Sequence, residues 1–352
     1  MIMIVTIPTL GNRPEKLKRL TDALKGHDVR VFDYSMPERE ELIRSLVDKV
    51  GLNEEVVRRT FSQGYGGNRN FIMASTINDV IVSMDDDVLP ARIKVDDEPS
   101  EGIANFHFAD DCTFENYDVV SELGRFIGKR AGDLDMRKGG IIEYSYSPFR
   151  LVGDAPSDDS RVIASFPMIS YDWDNSAHAH GEYGKMVFTG MKPAVLKSRW
   201  DIYQCYATDN KVVSAVPFSP TELRYEDTLN SNMLDRLDLG CSVMIGKDVV
   251  HVNPNGADVD KEIAAHMSCG LIFAAYHKNA DLNEAADQLI GVTHRYAETR
   301  DFVESRMMFM ASLGVPVSFD SVGKIQGLVQ SETYIAAQTF QIWDKVRDYL
   351  MQ

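Results

Sequence analysis

Over its first ninety residues the chain switches repeatedly between strand-like and helix-like spacing, and that alternation is the strongest constraint on its fold. Ile2 to Ile7 is an apolar run that ends at Pro8. Pro14 suits a first helical position, Leu17, Leu20 and Leu24 recur at helical spacing, and Gly26 can close that helix. "VRVFDY" then alternates as a strand does. Pro37 to Val50 carries Leu42, Ile43, Leu46 and Val47 on one face, with Gly51 behind it. A third helix is expected from about Asn68, followed by a strand from Val80 to Met84. Strands alternating with helices make βαβ units, hence a mainly parallel, Rossmann-like α/β sheet covered on both faces.

The strand at Val80 delivers Asp85, Asp86 and Asp87 in succession. Ligands of open parallel sheets bind beyond the carboxyl ends of the strands, so this triplet and the "IPTLGNRP" segment after the first strand are the candidates for a crevice. In that segment Thr9, Asn12 and Arg13 can meet a nucleotide. Strand alternation puts Asp85 and Asp87 on one face and Asp86 on the other. Crowded carboxylates repel, and Mg²⁺ or Mn²⁺ neutralises them while taking phosphate oxygens and waters as its remaining ligands. The chain contains its own controls: Asp96–Asp97, Asp110–Asp111 and Asp158–Asp159 sit in polar, turn-rich surroundings rather than behind an apolar strand. Upstream, Gly64, Gly66 and Gly67 permit a tight turn before a helix whose N–H groups can receive an anion, and Arg69 adds a fork of donors.

The middle of the chain, about 91 to 181, contains four polar stretches read as loops: "KVDDEPSEG", "DDCTFENYD", "RAGDLDMRKGG" and "GDAPSDDS". "GGIIEYSYSPFRLV" and "SRVIASFPMISYDWD" read as antiparallel strands. His178 and His180 in "HAHGEYG" suit a loop. From Asp258 the pattern is helical, in "KEIAAHMSCGLIFAAYHKNA", "LNEAADQLIGVTHRYAETRDFVESRMMFMASLG" and "SETYIAAQTFQIWDKVRDYL", with Met307, Met308 and Met310 expected to pack between helices. The boundary is placed at 255, giving residues 1–255 (a nucleotide-binding half, 1–90, and an acceptor half, 91–255) and a helical domain, 256–352.

A formal charge of −16 argues against a broad grip on nucleic acid or on anionic membranes. Cys112, Cys205, Cys241 and Cys269 are scattered, as in a reducing compartment. The amino terminus enters a strand without a basic leader, and no apolar stretch approaches the roughly 18 residues of a membrane helix. The expectation is a cytoplasmic protein.

A loop with an Arg-Asn pair, a helix, an apolar strand and "DDDVLP" together resemble the nucleotide-sugar half of family-2-like GT-A-fold glycosyltransferases. The resemblance covers about residues 1–255, and its most specific part is 64–90. It implies a metal-dependent glycosyltransferase that moves a hexose or pentose from a nucleoside diphosphate sugar to an acceptor hydroxyl. Asp85-Asp86-Asp87 matches the family's DxD motif, with Asp85 and Asp87 on Mn²⁺ or Mg²⁺ and Asp85 and Asp86 on the donor. "IVTIPTLGNRP" matches the first strand and nucleotide loop, which carries Pro8, Thr9 and Arg13 over as donor contacts, and Gly66 and Arg69 follow from the glycine and "NRN" stretch. "RYEDTLNSNML" resembles the acidic motif that opens a helix, so Asp227, then Glu226, become candidates for the general base. "VFTGMKPAVL" matches Thr189 and Gly190 to the residues lining the donor sugar, and "DVVHVNPNG" places His251 where some members have a third metal ligand.

Three other readings remain open. A nucleotidyltransferase usually has a glycine-rich loop after strand one, from which the single glycine of "PTLGNRP" departs. A non-catalytic scaffold would bind the nucleotide sugar and recruit partners through the tail. A DNA-modifying glycosyltransferase would need a basic groove, for which Arg125, Lys129, Arg130, Arg137 and Lys138 are available. The acceptor is a small molecule, a glycan or modified DNA. The tail's possible roles are capping the acceptor side, forming a homo-oligomer or docking another protein.

Overall fold

A computed structural model describes residues 3–94, 105–108, 113–116, 118–126, 161–165, 168–171, 186–189, 194–196, 205–223, 226–237, 240–244, 249–252, 259–279, 281–312 and 317–352. In chain order the first elements are β1 (Ile4–Pro8), α1 (Pro14–Ala23), β2 (Asp28–Phe32), α2 (Pro37–Val50), α3 (Glu54–Ser62), α4 (Gly64–Ser75) and β3 (Val80–Met84). Short elements follow: β4 (Val88–Leu89), β5 (Ala91–Lys94), β6 (Asn105–Phe108), β7 (Thr113–Asn116), α5 (Val119–Gly124), β8 (Arg161–Ser165), β9 (Met168–Tyr171), β10 (Met186–Thr189) and β11 (Ala194–Leu196). Then come β12 (Cys205–Asp209), α6 (Asn210–Val213), α7 (Glu226–Arg236), β13 (Gly240–Met244) and β14 (Val249–Val252). The tail holds α8 (Val259–Lys278), α9 (Leu282–His294), α10 (Tyr296–Ser312) and α11 (Val322–Leu350). The fold is mixed α/β with a helical C-terminal region. No helix among the described residues is long and apolar enough to cross a membrane.

The chain divides into two compact units, one comprising 1–33, 76–213 and 234–255, the other 34–75, 214–233 and 256–352. In the first, β2, β1, β3 and β12 form a mostly parallel quartet: β1 pairs in parallel with β2 and with β3, and β12 runs antiparallel to β3. The sheet continues through β8, β13 and β11 to seven strands, with β12–β8 and β11–β13 antiparallel and β8–β13 parallel. β1 therefore has β2 on one side and β3 on the other, so the strand order reverses beside it. Below this edge Val5, Ile7, Val82 and Met84 pack with Leu20 and Leu24 of α1 and with Val119, Val120 and Leu123 of α5.

The second unit is helical. Its spine is α11, which packs on α2, α3, α8, α9 and α10 and buries Trp343 and Phe340 almost completely. Leu223, Ile263, Met267, Val303, Met307, Ile325 and Val329 form a core there. Met310 packs partly against that core, whereas Met308 faces outward at 63% exposure, so the methionine triplet does not pack as a block.

Local signals mark several ends. Pro37 opens α2, and Gly51, at φ 73°, closes it in the left-handed conformation that glycine tolerates. Several expectations need correcting. α3 is an additional helix, opened by Asn53, whose side chain accepts the Val56 N–H at 3.2 Å. α4 begins at Gly64, four residues before the expected Asn68: Gly64, at φ 59°, makes the expected turn, and Gly66 and Gly67 continue the helix packed against chain. The helical run from 282 to 312 breaks at Arg295, whose φ of −91° and ψ of 71° leave the helix. "DDCTFENYD" contains β7, paired with β5. "SRVIASFPMISYDWD" makes two strands that join different sheets instead of pairing with each other: β8 lies in the seven-stranded sheet, and β9 runs parallel to β14. "GGIIEYSYSPFRLV", His178, His180, Lys129, Arg130, Arg137, Lys138 and the three control acid pairs lie outside the described residues. Arg125 is described, and it pairs with Glu122 at 2.9 Å.

Candidate functional site

In the first unit the loop after β1 meets the acidic turn after β3. Asp86 is fully buried, and the Thr9 hydroxyl donates to its Oδ2 at 2.6 Å. Arg13, the residue before α1, donates through Nη1 to Asp86 Oδ1 at 3.2 Å and to Asp87 Oδ2. The Gly11 N–H donates to Thr9 Oγ1 at 3.0 Å, which fixes the hydroxyl that holds Asp86. Pro8 ends β1 opposite Phe32, and the Thr9 N–H continues the ladder onto Phe32 O at 3.0 Å. The acidic turn closes on itself where the Val88 N–H donates to Asp85 O at 3.1 Å. Burial raises the Asp86 carboxyl above its ordinary value, an effect opposed by the Thr9 hydrogen bond and by Arg13. Asp87 is 5% exposed and Asp85 half-buried. Burial, with the charge of Asp85 added, pushes the Cys205 thiol far up, so it stays protonated.

Thr9, Arg13, Asp86 and Asp87 thus form one bonded cluster at the carboxyl ends of β1 and β3, with Asp85 in the same turn. His251 belongs to the same unit: β14 runs antiparallel to β4, and the register sets His251 opposite Val88, the residue after Asp87. Thr189 ends β10 opposite Asn105 of β6, and Gly190 lies outside the described residues.

These residues fit a divalent cation in a specific way. Asp86 accepts from Thr9 at one oxygen and from Arg13 at the other, so it anchors the turn to the loop after β1. One guanidinium pairs with two carboxylates, Asp86 and Asp87, and Asp85 adds a third to the same turn, which leaves net negative charge with hard oxygen donors. Among the described residues no three His, Cys, Asp or Glu side chains converge as a ready-made metal set. Asp85 and Asp87 supply two carboxylates, which suffices for Mg²⁺ or Mn²⁺ when phosphates and water complete the shell.

The remaining candidates lie in the second unit. Arg69 of α4 is 3% exposed, its Nε 3.4 Å from Glu226 Oε1 and its guanidinium 5.6 Å from the centre of the Phe218 ring. Glu226 opens α7; burial, with neighbouring Asp227 adding to it and Arg69 opposing, pushes its carboxyl up to about 7. Asp227 sits beside it, half-exposed. Gly66 lies so close to the Ser219 carbonyl, and Gly64 to that of Thr221, that the room the glycines leave is filled by residues 219–221. Behind them Arg39 is buried, donating to Phe61 O and to Asn68 Oδ1 at 2.6 Å.

Two features of this unit have no local signature in the sequence. Residues 214–221 are buried without regular structure, a costly state for backbone polar groups. Pro217 and Pro220 remove two donors, and side chains serve much of the rest. Trp343 Nε1 donates to Ser214 O at 3.0 Å, Asn230 to Val216 O at 3.0 Å, and Asn70 bridges both the N–H and the C=O of Phe218 at 2.8 and 2.9 Å. The second feature is Glu332 of α11, 5% exposed. Its Oε2 has no hydrogen-bond partner among the described residues. Burial pushes the Glu332 carboxyl up to about 7, with Glu222 adding to the rise and Thr221 opposing it.

Because Glu226 and Glu332 hold their protons more tightly folded than unfolded, their contribution to stability is complete below about pH 4.5 and is lost as pH rises through 7. The expected result is a melting temperature that falls between pH 5 and pH 8, by about 1–3 kcal/mol of stability per group. Glu332→Gln should flatten part of that fall in a calorimetric pH series; an unchanged slope would exclude Glu332 as its source.

No protein-family model matches this chain, and no curated protein matches it.

Proposed function

We propose that the protein is a metal-dependent glycosyltransferase of GT-A-like, Rossmann-like architecture that moves a sugar from a nucleoside diphosphate sugar to an acceptor hydroxyl in the cytoplasm. The observation that carries this reading is the locked turn at the end of β3, where Asp86 is tied to Thr9 and Arg13 from the loop after β1. The two strands flank the point where strand order reverses, which is where open α/β sheets bind ligands.

In this reading Pro8, Thr9 and Arg13 form the nucleotide loop, and Asp86 fixes the turn so that Asp85 and Asp87 are presented without searching rotamers. Asp85 and Asp87 would hold the cation, and the family resemblance assigns His251 as a third ligand, its backbone paired with Val88 by strand register. The cation, when bound, acts as a Lewis acid on the departing diphosphate. Arg13 places a second positive charge beside the same turn. The family resemblance assigns Thr189 and Gly190 to the sugar and Arg69 to the donor. It also assigns the proton transfer from the acceptor hydroxyl to the Glu226–Asp227 pair. Asp227 suits the base because it is half-exposed, whereas Glu226 is buried against Arg69 and positions the pair.

The test is a thermal-shift screen of nucleoside diphosphate sugars with and without Mn²⁺, followed by assay of transfer or hydrolysis. One donor is expected to stabilise the protein only with metal, by about 2.7 kcal/mol at a hundredfold excess over Kd. Absence of any metal-dependent shift across the panel would overturn the proposal. Asp227→Asn is expected to lower kcat about 10²–10⁴-fold while the donor shift persists. Unchanged kcat would remove the base assignment.

A further inference from the structure

We propose that Arg13 competes with a divalent cation for Asp87, so that the loop after β1 sets how tightly the acidic turn binds metal. The inference rests on the metal reading of Asp87 proposed above, and its test separates the failure of one from the failure of the other.

The turn concentrates negative charge where water reaches little of it. Asp85, Asp86 and Asp87 are consecutive, Asp86 has no exposed surface and Asp87 is 5% exposed. Carboxylates at that depth need a positive partner or a proton. Arg13 is such a partner for two of them: its Nη1 donates to Asp86 Oδ1 at 3.2 Å and to Asp87 Oδ2. The two aspartates are not equivalent in this arrangement. Asp86 also accepts from the Thr9 hydroxyl at 2.6 Å, so it stays tied to the loop if the guanidinium moves. Asp87 meets the guanidinium at an oxygen that a cation ligand would offer to metal. One carboxylate is therefore shared between two positive groups, which repel each other across it.

Arg13 is built to give way. Its backbone opens α1, with its carbonyl accepting the Leu17 N–H at 3.0 Å, and its side chain makes no capping bond. Moving the guanidinium thus leaves the start of the helix intact. The side chain is 22% exposed, against 5% for Asp87, so water can receive a guanidinium that the carboxylate releases. Asp85 and Asp87 cannot move away in the same manner, because the Val88 N–H closes their turn onto Asp85 O at 3.1 Å. The mobile partner of the pair is the arginine. Linkage then fixes the sign: if a cation weakens the hold of Arg13 on Asp87, removing Arg13 must strengthen the hold on the cation.

Two readouts on the full-length protein test this without turnover. In the first, Mn²⁺ alone is titrated and its free fraction followed by electron paramagnetic resonance. Arg13→Gln, which keeps a polar side chain without the charge, is expected to bind Mn²⁺ about tenfold tighter than the unsubstituted protein. Arg13→Lys keeps the charge and should stay within about threefold. Adding Asp87→Asn should abolish the gain. The second readout is the melting temperature, which Mn²⁺ should raise more in Arg13→Gln than in the unsubstituted protein, since the metal there replaces a missing counter-ion. Should Arg13→Gln be unfolded in a chelator, recovery of its circular dichroism on adding Mn²⁺ is the same readout, and failure to recover would overturn the proposal. Equal or weaker Mn²⁺ binding in Arg13→Gln, with binding lost in Asp87→Asn, overturns the competition and leaves the metal reading standing. A gain that persists beside Asp87→Asn also overturns it, because the competition would not be at Asp87. No Mn²⁺ binding in either protein overturns both.

Discussion

Replacing Gly66 with alanine is expected to cost about 3 kcal/mol or more, a drop in melting temperature on the order of 4 °C. A Cβ built there overlaps the Ser219 carbonyl and stands 2.6 Å from its carbon and 3.2 Å from Pro220 Cα, all of them backbone atoms. Backbone cannot rotate away as a side-chain tip does, so α4 and the 219–221 segment must separate. Separation also strains the Asn70 bridge to Phe218 and the Arg69 stack on its ring. The control is Gly270 in α8, where an added Cβ meets nothing within 4 Å. Gly270→Ala should be neutral or stabilising by up to about 1 kcal/mol, since alanine is the better helix former. If thermal denaturation gave Gly66→Ala a cost near zero, the close approach would be wrong.

That contrast also explains what was legible in the chain. β1, α1, β2, α2 and β3 can be read from local order because each carries its own punctuation: Pro8 and Pro14, Pro37 and Gly51, and the apolar run that stops at Asp85. Gly66 and Gly67 lie inside a helix for a physical reason. Their low helix propensity argues for a loop, but burial of the 219–221 backbone against them outweighs that cost and carries α4 back to Gly64. Asn53 caps α3, but a nine-residue helix carries only about two turns of periodicity, too few to stand out from its surroundings. The bonded cluster of the candidate site was legible in part. Thr9, Arg13 and Asp86–Asp87 could be named from two strand ends, but the division of labour among the aspartates required geometry. Glu332 was not legible at all, because an acid in an amphipathic helix reads as a solvated face until the elements packed over it are placed.

The division among the aspartates supplies the sharpest test of the proposed chemistry, because two neighbouring substitutions should fail in opposite ways. Asp86→Ala strips the Thr9 hydroxyl of its acceptor and Arg13 of one of its two carboxylates, at a side chain with no exposed surface. The expected cost is about 3 kcal/mol of stability, near the low end for breaking a buried pair because Arg13 is partly exposed and keeps Asp87. Asp87→Ala leaves both Asp86 contacts in place, so its cost in stability should be about 1 kcal/mol. On the proposed reading its cost in catalysis is the larger one: it removes a metal ligand, so metal-dependent turnover should fall by about 10³-fold and the Mn²⁺-dependent part of the donor thermal shift should vanish. Asp86→Asn, which preserves an acceptor for Thr9, should retain most of the turnover that Asp87→Ala loses. Full metal-dependent turnover in Asp87→Ala would remove the triplet from the chemistry. Equal loss in Asp86→Asn and Asp87→Ala would show that the buried aspartate does more than hold the turn, since its charge would then be needed as well as its shape.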